Sequence, residues 1–320
     1  MLSLIKDIFN LYMDLKLNFL IIGGQKTAST FIHECIKEHN DIFMPDGETP
    51  YFEDPDYQNN NLADYFKTTY PLEFRKLGIK RPNYLFNLSA MRRIKKDFPD
   101  AKLIVVLRDP VIRFQSAVNH YMKYNFIPVE DINCSIKKIF NDKTYCKNFP
   151  RAKELLEFGL YAKYLSEYFK LFSKDKFHLI FSNDIKNNPK KIFKELFNFL
   201  EVNDIFIPKA INTRPQKVEY RLKFLKIIAF KSSVQYQYSN DKMRLYERKN
   251  PNPVRKIFVI LLHLLLKLME KIYWFKNSKK NFLSEENTNL LRNFYKDDIK
   301  KLENLLDTNL KSWYSSNWYG

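Results

Sequence analysis

The stretch FLIIGGQKTASTFIHECIKEHNDI, residues 19–42, constrains the fold of this chain more than any other part of the sequence. Its apolar start has the length of a short buried strand, and two glycines end that run. Apolar residues then recur at the spacing of one helical face, at Ala28, Phe31, Ile32, Cys35 and Ile36. The pattern therefore predicts a strand over 19–22 that turns at the glycines into a helix.

The turn between this strand and this helix has the composition of an anion-binding loop. Backbone N–H groups at a helix N-terminus, and the positive end of the helix dipole, point at one place. Lys26 adds a positive charge there, and the glycines permit close approach of the backbone. Hydroxyl groups that we expect to donate into the same concavity follow at Thr27, Ser29 and Thr30. We therefore predict that Lys26 holds phosphate-like oxygens.

The Walker P-loop of kinases is the nearest alternative, and its pattern fits poorly. That loop has a glycine directly before its lysine and another five residues earlier. In this chain neither of those positions holds a glycine, and Gln25 stands directly before Lys26. Lys26 and Thr27 do match the end of the Walker pattern, so a kinase that uses magnesium-ATP stays open as an alternative.

The rest of the chain repeats the alternation of strand and helix. Apolar runs over 103–107 and 177–181 predict two more buried strands. Helical patterns lie between and after them, over 161–172, 189–200 and 290–305. This order predicts an α/β fold, a three-layer sandwich with a central, mainly parallel sheet flanked by helices.

A second motif, LRDPVIRFQS, follows the strand predicted over 103–107. It places Arg108 at the strand end and Ser116 eight residues later, in the following helix. The carboxyl ends of the strands are the usual ligand edge of an open α/β sheet. A guanidinium there can bind a phosphate through two hydrogen bonds, while a surface ion pair with Asp109 is the alternative.

Together the two motifs resemble those of the sulfotransferases that use 3′-phosphoadenosine 5′-phosphosulfate (PAPS), which have a P-loop-NTPase-like sulfotransferase fold. IIGGQKTASTFI is similar to the family's 5′-phosphosulfate loop, and LRDPVIRFQS is similar to its 3′-phosphate motif. The resemblance covers residues 17–313. It implies that the PAPS-binding residues are Gly24, Gln25, Lys26, Thr27, Ala28, Ser29, Thr30, Arg108 and Ser116.

Two further segments resemble the carbohydrate branch of that family, which includes heparan-sulfate-type enzymes. DGETPYFED implies that Glu48 takes the proton from an acceptor hydroxyl, and GIKRPNYL implies that Lys80 holds sulfonate oxygens. Lys26 would neutralise the leaving phosphate, so no metal is expected. The acceptor-side candidates are Tyr51, Glu53, His120 and Arg214, and the expected acceptor is a hydroxyl of a glycan.

The chain departs from the family pattern at three positions, Ala28, Gly47 and Pro50. Glycine is usual in the family at the first of these. The basic loop that closes on the 3′-phosphate has no single match, and its candidates are Arg214, Lys217 and the basic cluster over 242–249.

The net charge of +18 suits a polyanionic partner without choosing among polyanions. A basic nucleic-acid-binding protein is therefore a third alternative. The segments FKLFSKDKF and RLKFLKIIAFK interleave basic and aromatic residues, but helical spacing favours core positions for the aromatics, so no specific nucleic-acid partner is expected. The sequence leaves the oligomeric state open. We expect His33 to face solvent on the polar side of the first helix.

The longest apolar run, IFVILLHLLL over 257–266, is too short to cross a bilayer, which needs about 20 residues. We expect a buried or groove-covering helix there, with peripheral membrane contact as the alternative. The expected domain organisation is an amphipathic segment over 1–16 and a single domain over 17–320, with an insertion near 215–285. The charged N-terminus has no secretory pattern, and three sparse cysteines indicate a reducing, cytoplasmic location.

Overall fold

The computed structural model describes residues 16–59, 75–212, 221–248, 252–271 and 280–314. Within it the chain divides into two compact units, each described by itself. Of the described residues, those up to 108 and those over 161–212 form the first unit, and those over 109–160 and from 221 onward form the second. Arg214, Lys217 and residues 1–15 lie outside the described residues. The single domain expected from residue 17 onward stays a prediction.

The first unit contains a five-stranded sheet in which all neighbouring strands are parallel. The strands are β1 Phe19–Gly23, β2 Ile42–Phe43, β3 Lys76–Lys80, β4 Lys102–Leu107 and β5 Phe177–Phe181. Their order across the sheet is β2-β3-β1-β4-β5, which puts β1 in the centre. The three strands predicted from the sequence are confirmed.

Helices connect the strands and build the second unit. In chain order they are α1 Ser29–Lys37, α2 Asp56–Asn59, α3 Leu88–Asp97, α4 Pro110–Lys123, α5 Ile132–Asn141, α6 Lys143–Asn148, α7 Glu154–Glu157, α8 Tyr161–Leu171, α9 Ser182–Asn187, α10 Pro189–Leu200, α11 Leu222–Gln235, α12 Pro253–Lys271 and α13 Glu285–Leu306. Short 3-10 turns cover Tyr84–Phe86, Pro150–Lys153, Lys174–Lys176, Lys209–Asn212 and Lys311–Trp313.

The sheet is buried on both of its faces, as a parallel sheet with crossover helices requires. One face of β1 and β4 packs with α1 and α10 in a single apolar core. Alternate residues on the other face, including Leu20 and Val105, are also fully buried, and α3 packs against α8 in the same unit. The α/β sandwich predicted from the sequence is confirmed.

The second unit corrects two expectations from the sequence. The polar, proline-punctuated sequence over 235–253 predicts a long surface loop. The structure instead has an antiparallel hairpin within it, formed by β6 Tyr236–Tyr238 and β7 Leu245–Glu247. The apolar run 257–266 forms part of α12, but most of its side chains are exposed and only Leu262 and Leu266 are buried. The expectation of a buried helix is therefore wrong for most of this run. No helix in the described ranges is both long and apolar enough to cross a bilayer.

Gly78 lies beside Phe19 where β3 pairs with β1, and a Cβ atom at residue 78 would meet the ring at 2.0–2.6 Å. We expect Gly78→Ala to lower the free energy of unfolding by about 2 kcal/mol, because an overpacked core must distort. Urea unfolding measures this. The double variant Phe19→Leu/Gly78→Ala should lose less than the sum of the two single variants; strict additivity would contradict the contact.

Candidate active site

The loop after β1 is held by a hydrogen bond to β4 and by hydrogen bonds within the loop. The Gly24 N–H donates to the carbonyl of Val106 on β4 at 2.7 Å. The Thr27 hydroxyl donates to the Gly24 carbonyl at 2.6 Å and accepts from the Gly24 N–H at 3.2 Å. Thr27 is fully buried, and its one hydroxyl hydrogen is used inside the loop. The expectation that Thr27 binds the ligand stays a prediction.

The same loop contains two non-glycine residues in left-handed backbone conformation, Lys26 with φ 65° and Ala28 with φ 82°. A left-handed conformation costs an L-residue about 1–2 kcal/mol, which explains why glycine suits position 28. The chain accepts this strain at the point where it turns into α1. The first N–H groups of that helix have no acceptor within the helix, so they are suited to bind an anion.

Three other residues of the predicted anion-binding loop differ in their surroundings. Ser29 is buried and Thr30 is exposed. Gln25 has its side-chain nitrogen 3.5 Å from the Asn83 oxygen. Its own side-chain oxygen is buried without a hydrogen-bond partner among the described residues. A buried polar atom of this kind is often satisfied by a bound water, ion or ligand.

Arg108 lies at the edge of this loop. It follows β4, and its guanidinium Nη1 donates to the carbonyl oxygen of Lys26 at 3.3 Å. The neighbouring Asp109 carboxylate caps α4 by accepting from the N–H of Val111 at 2.8 Å. The structure thus brings together the loop and the arginine that the two sequence motifs singled out.

Lys80 approaches the loop from β3, on the other side of β1. It is buried, and its Nζ donates to the Thr30 hydroxyl at 3.3 Å. Burial lowers the pKa of Lys80, and the nearby charge of Glu48 opposes that effect. A second cation therefore lies at the first turn of α1.

Glu48 is held by a residue that the sequence analysis missed. Arg81 donates through Nη1 to Glu48 at 2.8 Å, and through Nε and Nη2 to both oxygens of Glu53 at 2.7 and 2.6 Å. Burial acts to lower the pKa of Arg81, but the hydrogen bonds and charges of Glu53 and Glu48 outweigh it and raise the pKa.

The two carboxylates of this ion pair differ in access. The Glu48 side chain is 41% exposed, whereas that of Glu53 is 11% exposed. Glu53 is therefore part of a buried ion pair, and Glu48 is the one open to solvent. The sequence showed a basic residue directly after Lys80, but nothing in it indicated that residue's partners more than 25 positions away.

Two buried side chains hold the segment that carries Glu48. The Tyr84 hydroxyl donates to the Thr49 carbonyl at 2.5 Å and accepts from the Phe52 N–H at 3.1 Å. The His33 Nε2 donates to the Pro45 carbonyl at 3.0 Å. His33 is fully buried, so the expectation that it faces solvent is wrong. Burial and the Lys80 charge lower the pKa of His33.

The remaining candidates have other surroundings. Tyr51 is buried, and its ring packs edge-on against Phe52 and Tyr57, which favours a packing role over the acceptor contact expected for it. In the second unit, Ser116 and His120 lie one turn apart on α4, both half-buried. The His120 ring lies 4.9 Å from that of Tyr124.

The sequence matches the family described as "Sulfotransferase domain" over residues 17–301. This chain belongs to the sulfotransferase domain family. A crystal structure of a sulfotransferase from Alicyclobacillus acidocaldarius shares the fold, with a TM-score of 0.64 over 94% of this chain and 99% of that one, at 18% identity. The sulfotransferase fold predicted from the sequence is therefore confirmed.

Two curated relatives of this sulfotransferase domain are named for heparan sulfate. A bifunctional heparan sulfate N-deacetylase/N-sulfotransferase 1 of Caenorhabditis briggsae is 25% identical over 211 residues, 62% of this chain and 24% of the relative. A heparan sulfate glucosamine 3-O-sulfotransferase 3A1 of Mus musculus is 27% identical over 192 residues, 59% and 47% of the two chains. The aligned part is thus about a quarter of the first relative and about half of the second.

Arg81→Met should destabilise the protein by about 3–5 kcal/mol near neutral pH, because Glu53 would remain as a buried charge without its cation. Urea unfolding near neutral pH measures this loss.

Arg93→Met is the matched control, because Arg93 binds the more exposed Asp54 through two hydrogen bonds of 2.8 Å. We expect that control to cost about 1 kcal/mol from the ion pair. Equal losses for the two variants would contradict the buried ion pair at Arg81.

Proposed function

We propose that this sulfotransferase domain transfers the sulfuryl group of PAPS to a hydroxyl of a glycan. One observation carries the proposal: Lys80 contacts Thr30 in the first turn of α1, and Arg108 contacts the Lys26 carbonyl in the loop directly before that helix. Three cations around one helix N-terminus match a ligand with several negative charges.

The donor side of the proposal rests on the loop. The N–H groups of the first turn of α1 would bind the oxygens of the 5′-phosphosulfate, and Lys26 would neutralise charge on the leaving phosphate. Arg108 would bind the 3′-phosphate through its guanidinium. The unsatisfied oxygen of Gln25 supports a ligand in this loop. The role of Ser116 stays a prediction from the resemblance.

The acceptor side rests on Glu48. This carboxylate is exposed enough to contact an acceptor, and its hydrogen bond from Arg81 fixes its orientation. In the proposed step, the acceptor oxygen forms a bond to sulfur while the bond from sulfur to the 5′-phosphate oxygen breaks. The acceptor proton passes to Glu48, and Lys80 stabilises the sulfonate oxygens. The products are a sulfate ester and adenosine 3′,5′-bisphosphate.

The proposed acceptor class rests on the relatives and on charge. Both relatives described above are named for heparan sulfate, an acidic polysaccharide. The net charge of +18 would attract such an acceptor. A kinase that holds magnesium through Thr27 is disfavoured, because the Thr27 hydroxyl is buried and hydrogen-bonded to Gly24.

Transfer of ³⁵S from PAPS to a heparosan-type polysaccharide should fall by about 10²–10³ in kcat/KM for Lys26→Ala and by about 10²–10⁴ for Glu48→Gln. The first variant removes charge stabilisation of the leaving group, and the second removes the base. The matched controls Lys190→Ala and Glu195→Gln change exposed residues of α10 and should keep the wild-type rate.

An N-acetylated polysaccharide and one with free amino groups should be compared as acceptors in the same assay. Incorporation into the N-acetylated polymer supports a hydroxyl acceptor, while incorporation only into the free-amine polymer contradicts it. Thermal stabilisation by magnesium-ATP, without stabilisation by adenosine 3′,5′-bisphosphate, would contradict the donor assignment.

The pH profile of kcat/KM provides a test of Lys80. Because burial lowers the pKa of Lys80, its charge should be lost at a lower pH than that of an exposed lysine, and activity should fall on the alkaline side. Lys80→Arg should move this limb upward by at least about one pH unit, since arginine stays charged. An unmoved alkaline limb in an active Lys80→Arg variant would contradict the role of the Lys80 charge.

A further inference from the structure

Helix α12 in the second unit has two apolar faces, and only one of them is packed. Leu262 and Leu266 are buried, and Val259 and Met269 on the same side are half-buried. This stripe packs α12 against α11. Its spacing of three to four residues is that of one ordinary helix–helix contact.

The second apolar face of α12 is exposed. Eight large apolar side chains on it are between 42% and 72% exposed: Val254, Ile257, Phe258, Ile260, Leu261, Leu264, Leu265 and Leu268. At 3.6 residues per turn they cover roughly half of the helix circumference. Phe230 of α11 is 53% exposed and meets the Phe258 ring edge-on at 6.3 Å, so it extends this surface. We call these nine residues the α12 apolar face.

The two helices around the α12 apolar face are mostly basic, and their one acidic residue is Glu270 near the end of α12. Neither residues 222–235 nor residues 253–269 contain an aspartate or a glutamate. Six basic residues lie in the same two segments: Lys223, Lys226, Lys231, Arg255, Lys256 and Lys267. By helical geometry Lys256, His263 and Lys267 line one edge of the α12 apolar face. Lys256 and Lys267 are exposed there.

We infer that the α12 apolar face docks on the surface of an anionic lipid bilayer, with the helix lying in the plane of the interface. A continuous exposed apolar surface of this size marks an interaction site, and a basic border is the pattern of interfacial helices. Anionic headgroups complement this border. A second copy of the chain, docked through the same face around a twofold axis, would bring two sets of basic residues together. This inference does not depend on the proposed sulfotransferase activity.

Flotation of the full chain with vesicles tests the inference. We expect binding to phosphatidylcholine vesicles that contain phosphatidylserine, and much weaker binding to phosphatidylcholine alone. Leu261→Gln/Leu264→Gln should lower the partition coefficient by about tenfold or more, because two apolar side chains no longer enter the interface. The matched control Ile205→Gln/Ile207→Gln removes two exposed apolar residues of the first unit and should bind as wild type does.

A second pair of double variants tests the contribution of the basic residues to vesicle binding. Lys256→Gln/Lys267→Gln should lose most of the preference for phosphatidylserine, whereas Lys190→Gln/Lys194→Gln, with the same change in net charge on α10, should keep it. Hydrogen–deuterium exchange of the wild-type protein gives a readout that needs no variant. Phosphatidylserine vesicles should slow exchange over 254–268 and leave 19–37 unchanged.

Three results would overturn the inference. The first is no binding to either vesicle type. The second is binding that Leu261→Gln/Leu264→Gln leaves unchanged, with no protection over 254–268. The third is sedimentation velocity showing a lipid-free dimer that the same double variant converts to a monomer, because the α12 apolar face would then bind a second copy of the chain.

Discussion

The candidate site depends on the way the chain reverses at the end of β1. Gly24 donates to Val106 on the neighbouring strand, while Thr27 closes the turn on the Gly24 backbone. These bonds hold Lys26 and Ala28 in left-handed conformations that neither residue favours by itself. Because the turn is fixed from within, the first N–H groups of α1 and the Lys26 backbone keep one orientation. Arg108 and Lys80 can act on the same ligand only because this loop is fixed between them and α1 begins there.

The acceptor segment is fixed by a second, separate set of contacts. Arg81 gathers Glu48 and Glu53 into one ion-paired group, and Tyr84 holds the backbone between them. Burying Glu53 leaves Glu48 as the member of the group that is open to solvent. In the proposed mechanism Glu53 stabilises the segment, and Glu48 takes the proton from the acceptor. Lys80 connects the two sets of contacts. It donates a hydrogen bond to Thr30 of α1, and the charge of Glu48 acts to raise its pKa.

The sequence predicted those features that depend on local periodicity, and it failed where distant segments decide the outcome. The strands, the glycine turn and α1 follow from apolar spacing within about 20 residues. The partners of Arg81 lie 28 and 33 positions earlier in the chain, so no local pattern could reveal them. His33 is on the expected face of α1, but Pro45 covers it. For α12 the apolar run was evident, yet its sequence could not show which face another helix would cover.

The affinity of two nucleotides for three forms of the protein tests the central claim most directly. Isothermal titration should compare adenosine 3′,5′-bisphosphate with adenosine 5′-phosphate, using the wild type, Lys26→Met and Arg108→Gln. If the loop and Arg108 serve one ligand, Lys26→Met weakens both nucleotides by a similar factor, and Arg108→Gln removes the preference for the bisphosphate. The account would be contradicted if Lys26→Met left both affinities unchanged, or if Arg108→Gln kept the full preference.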